Sequence, residues 1–286
     1  MQHAPAAASE RAAFVRLPAS LCVAIALLCA CNTERARGDA LAAPQPTAAP
    51  LAAPEQSTEA LAAQPEALPA EPQTFAPGAN DEFDPAALAD VKQALSAVEE
   101  NAFASLVNGD KRVLPKSCRE WRSFRARGFA PKTALAEQLD GGALVRCGTY
   151  EFLARAKPSR RSHVRKALQG AGPDDLPAVV ASTTSKLALR ARNLAVAKGL
   201  TLGAFLPGAR TGRSELRGRV LIDEPASATS VIVNAEAWGD VNSDEVEDLL
   251  LSVLNSSDDL SYFDLRLIEV TRAAPDAPLT VLAVSE

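Results

Sequence analysis

The stretch SVIVNAEAWGDVNSDEVEDLLLSVL, Ser230–Leu254, decides how the C-terminal part of this chain folds. Two runs rich in Val, Ile, Leu and Ala, Ser230–Trp238 and Asp248–Leu254, flank a segment carrying Asp240, Asn242, Asp244, Glu245 and Glu247. Short aliphatic, β-branched runs bounded by turn formers read as strands, and an Asn/Asp/Ser cluster between them reads as the turn of a hairpin. The same texture extends outward. Glu215–Asp223 precedes the pair; Phe263–Thr271 and Leu279–Val284 follow it, with turns at Asn255–Asp259 and Pro275-Asp276. Everything after Gly199 therefore predicts a small antiparallel sheet.

Before Gly199 the period is helical. Asp84 is placed to cap a helix opened by Pro85, with Leu88, Val91, Leu95 and Val98 at helical spacing, Phe103 and Leu106 continuing the stripe and Asn108-Gly109 ending it. Ser117 caps a second helix with Trp121 and Phe124 on one face and Gly128 at its end. A third starts near Thr133, breaks at Gly141-Gly142, and resumes through Leu144, Cys147, Tyr150 and Leu153 to stop at Pro158. Two or three short helices are expected between Asp174 and Lys198. The predicted class is α+β: a helical unit over residues 81–200, then an antiparallel β unit over 201–286, packed as one globular domain.

Residues 39–80 have another character. Ala, Pro, Glu, Gln and Thr dominate, with Pro44, Pro46, Pro50, Pro54, Pro65, Pro69, Pro72 and Pro77 recurring and Leu51, Leu61, Leu68 and Phe75 standing alone. Such a composition cannot bury enough surface to offset the entropy of ordering. It predicts a disordered linker over residues 31–80, semi-extended at about 3 Å per residue where it is polyproline-like.

Ahead of it, Arg11 and Arg16 precede an apolar core, Leu17–Leu28, interrupted only by Pro18 and Ser20. A bilayer span takes about 20 residues, so this core is too short to cross and suits a secretory leader. Leu28, Cys29, Ala30 and Cys31 close it. That tetrad resembles the bacterial lipobox, with Leu at −3 and a small residue at −1. Cys22 and Cys29 each follow a leucine, so only Cys31 fits the pattern. The resemblance implies a signal peptide over 1–30, a diacylglyceryl lipid (and palmitate) on Cys31, and a cell-envelope location facing periplasm or cell surface. Asn32 stands where an Asp would signal inner-membrane retention, which points to the outer membrane. An ordinary signal peptide cut near Ala30, leaving a soluble protein, is the alternative.

If Cys31 carries lipid, only Cys118 and Cys147 remain. In an exported chain that pair predicts a disulfide stapling two helices; no Cys-x-x-Cys is present to favour redox chemistry.

Charge is segregated behind a net −5. Lys111–Arg219 holds 23 Lys or Arg against 7 Asp or Glu, and Val220–Glu286 holds 2 against 14. Arg155, Lys157, Arg160, Arg161, Arg165 and Lys166 form the densest basic cluster, a candidate surface for an anionic envelope polymer. Docking of the acidic half onto the basic half is the competing reading. Tyr150 and Phe152 lie nearby without the regular aromatic interleaving of a single-strand binder, so nucleic acid is not expected.

The acidic segment carries the one motif with metal chemistry. From Trp238 to Leu251 it resembles the D-x-N-x-D-G-x-x-D-L loop of FG-GAP/VCBS-type repeats. The resemblance implies a calcium loop with side-chain oxygens from Asp240, Asn242, Asp244 and Asp248, a carbonyl from Val246, and Leu249–Leu251 entering the core as a strand. Calcium takes six to eight oxygens. Glu245 replaces the family's Gly, Ser243 stands before Asp244, a single copy is present, and Leu251 occupies the position of a closing Glu. A polar turn capped by its own carboxylates fits these departures better.

No nucleophile elbow or H-E-x-x-H occurs, and His163 is the sole imidazole once His3 leaves with the leader. The sequence therefore predicts no enzyme. It predicts a lipid-anchored envelope protein with a non-catalytic binding or structural role. The alternatives are an inhibitor or accessory partner of a lysozyme-type envelope hydrolase, acting through the Asn255–Asp259 turn, and a divergent glycan-processing enzyme with two carboxylates in one cleft.

Overall fold

The computed structural model describes residues 73–99, 102–213, 218–224, 229–257 and 262–285, all within one compact unit. The leader, Cys31, the proline-rich stretch up to residue 72, Glu215 and Asp258-Asp259 lie outside the described residues. Chain order begins with β1 (Gly78–Ala79), paired antiparallel to Trp238 and Ala237, with Phe75 bridged to Ser159 just before it. Composition assigns this segment to the linker, yet it is part of the fold from Phe75 onward. Phe75 supplies the reason, since it shares with the Trp238 ring a guanidinium, that of Arg165, 5.3 and 5.5 Å from the two ring centres.

Asp84 caps Ala86 N at 2.9 Å as expected, but the helix is cut in two, α1 (Pro85–Ala89) and α2 (Val91–Ala94). Asp90 makes the cut: its carboxylate accepts from Gln93 N at 2.9 Å and starts a new cap where the chain would otherwise continue. The predicted stripe does not reach Leu106. That residue opens β2 (Leu106–Asn108), which pairs with β3 (Lys111–Val113) across a tight turn where Gly109 takes φ 59°. Asn108-Gly109 is thus a hairpin signal and not a helix stop.

Ser117 caps α3 (Cys118–Ala126) through Glu120 N at 3.3 Å, and the Glu120 carboxylate returns to Lys116 N at 2.9 Å. The next helix, α4 (Ala134–Arg155), runs unbroken through Gly141-Gly142. Its glycines serve close approach: a Cβ at Gly141 would stand 3.0 Å from Leu265 and Phe263, and one at Gly148 2.0 Å from Leu267. A 3-10 turn at Ala178–Val180, α5 (Lys186–Ala197) and α6 (Leu202–Phe205) follow, so the region after residue 201 begins with a helical turn.

The strands β4 (Arg210–Arg213), β5 (Arg219–Asp223), β6 (Thr229–Gly239), β7 (Asp248–Ser257), β8 (Phe263–Thr271) and β9 (Thr280–Ser285) form an antiparallel meander in sequence order. β5 pairs with residues 231–234 of β6, and β1 takes the same edge of β6 further along, at 237–238. The polar β4 has no aliphatic run to announce it. Side chains alternate between two buried faces. Leu249, Leu251, Val253, Ile268 and Val270 pack against Val164, Leu168, Leu176, Val179 and Leu202. Leu250, Leu267 and Ala237 pack against Trp121, Leu144, Cys147 and Phe152. The sheet is therefore covered on both sides by residues that precede it, which explains the nearly continuous apolar run of β7. The class is α+β, and the Cys118–Cys147 disulfide ties α3 to α4. Among the described residues no helix is long and apolar enough to cross a membrane.

Candidate functional site

The acidic β6–β7 loop and the basic segment after α4, more than seventy residues apart in sequence, meet in a clasp. Its frame is backbone. Lys157 and Asp240 exchange N–H···O bonds at 2.8 and 3.0 Å, Arg160 N and Arg161 N both donate to Glu245 O at 2.9 and 3.1 Å, and Glu247 N donates to Arg161 O at 2.8 Å. Side chains reinforce it. Lys157 Nζ donates to Ser243 Oγ at 3.0 Å, and Arg160 pairs with Glu245 at 3.6 Å on the exposed rim.

Glu247 lies at the centre and is fully buried. Arg165 grips its carboxylate through Nε and Nη2 at 2.8–3.2 Å, and Ser162 Oγ donates to it at 2.6 Å. The Arg165 guanidinium also donates to Ala76 O at 3.0 Å while facing the Phe75 and Trp238 rings. Arg155 pairs with Glu269 on β8. Three of the six clustered cations, Arg155, Arg160 and Arg165, are thus matched to carboxylates, while Arg161 and Lys166 keep exposed side chains.

The loop carboxylates close on their own backbone. Asp240 accepts from Ser243 N at 2.6 Å and Glu245 N at 3.0 Å, Asn242 from Asp244 N at 3.0 Å, and Asp244 from Val246 N at 2.7 Å. Asp248 is buried, accepts from Val241 N at 2.9 Å and has the Thr271 side chain beside its carboxylate. Burial raises the Asp248 pKa above the ordinary aspartate range, and the charges of Asp244 and Asp240 push it the same way. Ser243 and Glu245 take φ 68° and 67°, so the backbone adopts the left-handed turn that the family reserves for glycine. Among the described residues no group of three or more His, Cys, Asp or Glu side chains is placed to hold a metal, and Asp240, Asn242 and Asp244 each turn an oxygen to a backbone N–H of the loop.

Another buried acid, Glu236, lies outside the sequence motif. Glu236 sits where the β6–β7 register shifts, accepting from Ser252 Oγ at 2.5 Å and Asn80 Nδ2 at 2.9 Å. Burial lifts its pKa, with those hydrogen bonds acting against the shift. Its only sequence signal was a charge inside an otherwise apolar strand. The Asn255–Asp259 turn is displaced: Asn255 and Ser256 belong to β7 and are buried, which removes them from any plug-like loop.

The chain matches no family model, no curated protein and no solved structure.

Proposed function

We propose that this chain is an envelope protein anchored through a lipid on Cys31, whose charged groups serve binding and structure rather than catalysis. The Pro/Ala-rich segment acts as a disordered tether, and the helices before the sheet, stapled by Cys118–Cys147, act with it as one domain in a non-catalytic binding or structural role. The lipobox-like tetrad supports the anchor, and Asn32 in place of Asp after Cys31 supports the outer-membrane placement. The disulfide supports an oxidising compartment. The observation that carries the functional reading is the clasp: Glu245, Glu247 and Glu269 are occupied by Arg160, Arg165 and Arg155, and Asp240 and Asp244 by backbone amides. Carboxylates so engaged hold a fold together and are poorly placed to act as acid and base.

Labelling cells with palmitate and treating them with globomycin tests the anchor. Wild-type protein should take up label, partition into detergent and accumulate as precursor under the drug, whereas Cys31→Ala should do none of these. Equal labelling of both proteins would overturn the reading.

A further inference from the structure

The helix α5 is amphipathic in an unusual sense. It turns Ala188, Arg192, Ala195 and Val196 inward and presents Leu187, Leu189 and Leu194 outward, 78%, 37% and 58% exposed. Leu187 and Leu194 stand two turns apart on one stripe. Lys186, Arg190 and Lys198 are exposed beside them, and no Asp or Glu occurs from Leu176 to Ser214. None of these three cations has an ion pair among the described residues.

Single exposed leucines are ordinary on a protein surface. Leu187 and Leu194 on one stripe, with cations beside them and no carboxylate within reach in sequence, make the pattern of a helix lying in a membrane interface. The charge selects an anionic surface. The exposure of Leu187 and Leu194, 78% and 58%, suits a broad surface met from outside. We infer that the outer face of α5 seats the domain on a bilayer bearing anionic headgroups. The leucines enter the interface, and Lys186, Arg190 and Lys198 meet the phosphates. This deepens the proposed function and rests on its placing the domain within a tether's length of the membrane.

The test uses the full chain carrying Cys31→Ala and Leu194→Trp, with Leu187→Trp as a second reporter position. Vesicles of 70% phosphatidylcholine and 30% phosphatidylglycerol should shift the introduced indole to the blue, and brominated acyl chains should quench it. The parent chain, with Trp121 and Trp238, supplies the background. Adding Leu187→Gln to the Leu194→Trp chain should weaken partitioning roughly tenfold. Each of Lys186→Gln and Arg190→Gln should weaken it about fivefold. Absence of quenching at both positions overturns the inference, even if the chain binds vesicles through another part. Equal quenching in pure phosphatidylcholine overturns its electrostatic basis. A shift that needs no vesicles and accompanies a doubled mass in sedimentation assigns the face to a second copy instead. The assay needs no lipid on Cys31, so it and the palmitate experiment can fail separately.

Discussion

Replacing Arg165 by Met tests whether the clasp holds the acidic loop. Methionine keeps an apolar stem between Phe75 and Trp238 and removes the guanidinium. Glu247, fully buried, then loses its bonds to Nε and Nη2 and keeps only Ser162 Oγ at 2.6 Å. Stranding one charge of a fully buried pair costs about 3–5 kcal/mol. The Arg165 side chain is 41% exposed, however, so water screens part of the pair and the expected cost falls to about 2–3 kcal/mol, the lost ring contacts included. In a domain of this size 1 kcal/mol moves the melting temperature by about 2–4 °C, so a fall of roughly 5–10 °C is expected. A double-mutant cycle with Glu247→Leu, read by urea denaturation, should give a coupling of at least about 1.5 kcal/mol. Hydrogen exchange at the amides of Arg160, Arg161 and Glu247 should quicken in Arg165→Met. A coupling below about 0.5 kcal/mol, or unchanged exchange at those amides, would refute the claim that this pair secures the loop.

Glu245→Gly should stabilise the protein by about 0.5–1 kcal/mol in thermal melts, because φ 67° is strained for Glu and free for Gly, and the lost Arg160 contact is an exposed one. Millimolar calcium should leave the wild-type melting temperature where it is, and a rise of several degrees that Asp244→Ala abolishes would restore the calcium loop. Burial raises the Glu236 pKa in the folded state, so its favourable contribution is complete below the unfolded carboxylate pKa, about 4.3, and is lost as pH climbs toward the folded value. Glu236→Gln should therefore flatten the decline in stability between pH 4 and 7, and denaturation curves of parallel slope against pH would count against it. Cys118→Ala with Cys147→Ala should cost roughly 3–4 kcal/mol, as expected for releasing a closed loop of sequence separation 29, and an unchanged urea midpoint would deny the bond a stabilising role.

The central strands were legible because both faces of β6, β7 and β8 carry buried side chains. β6, β7, β8 and β9 each carry a run rich in Val, Ile, Leu or Ala, and each starts and ends within a few residues of its expected range. The helical part was less legible because its decisive residues are read only against their partners. Gly141 looks like a breaker until Phe263 and Leu265 are set against it, and it then becomes the residue that lets α4 approach the sheet. Asp90 looks like an exposed helical position until its carboxylate caps Gln93. Phe75 looks like one stray aromatic in a linker until Arg165 joins it to Trp238. The site shows the same division. The position of Glu245 in the motif pointed to a left-handed residue, and the structure places it there. That Glu247 rather than Asp248 would be the buried partner of a cation follows from strand register, which the charge pattern does not contain.

Charge segregation then raises a question that the clasp answers only in part. The excess over residues 111–219 is sixteen positive charges, and the deficit after residue 219 is twelve. Setting the whole net charge of the β half against this excess would leave four positive charges. Some find partners earlier in the chain, as Arg146 does with Glu99 at 3.2 Å. The pairing seen in the clasp is also uneven in space: it gathers on the β6–β7 loop and β8, where the acids are, and none of it reaches α5. Lys186, Arg190 and Lys198 belong to a stretch of sequence without an acid, and none of the three has an ion pair among the described residues. Its leucines are likewise left outside both cores. A surface that keeps charge and apolar groups together, when the interior has absorbed most of each elsewhere, is suited to a partner that offers phosphate and hydrocarbon side by side.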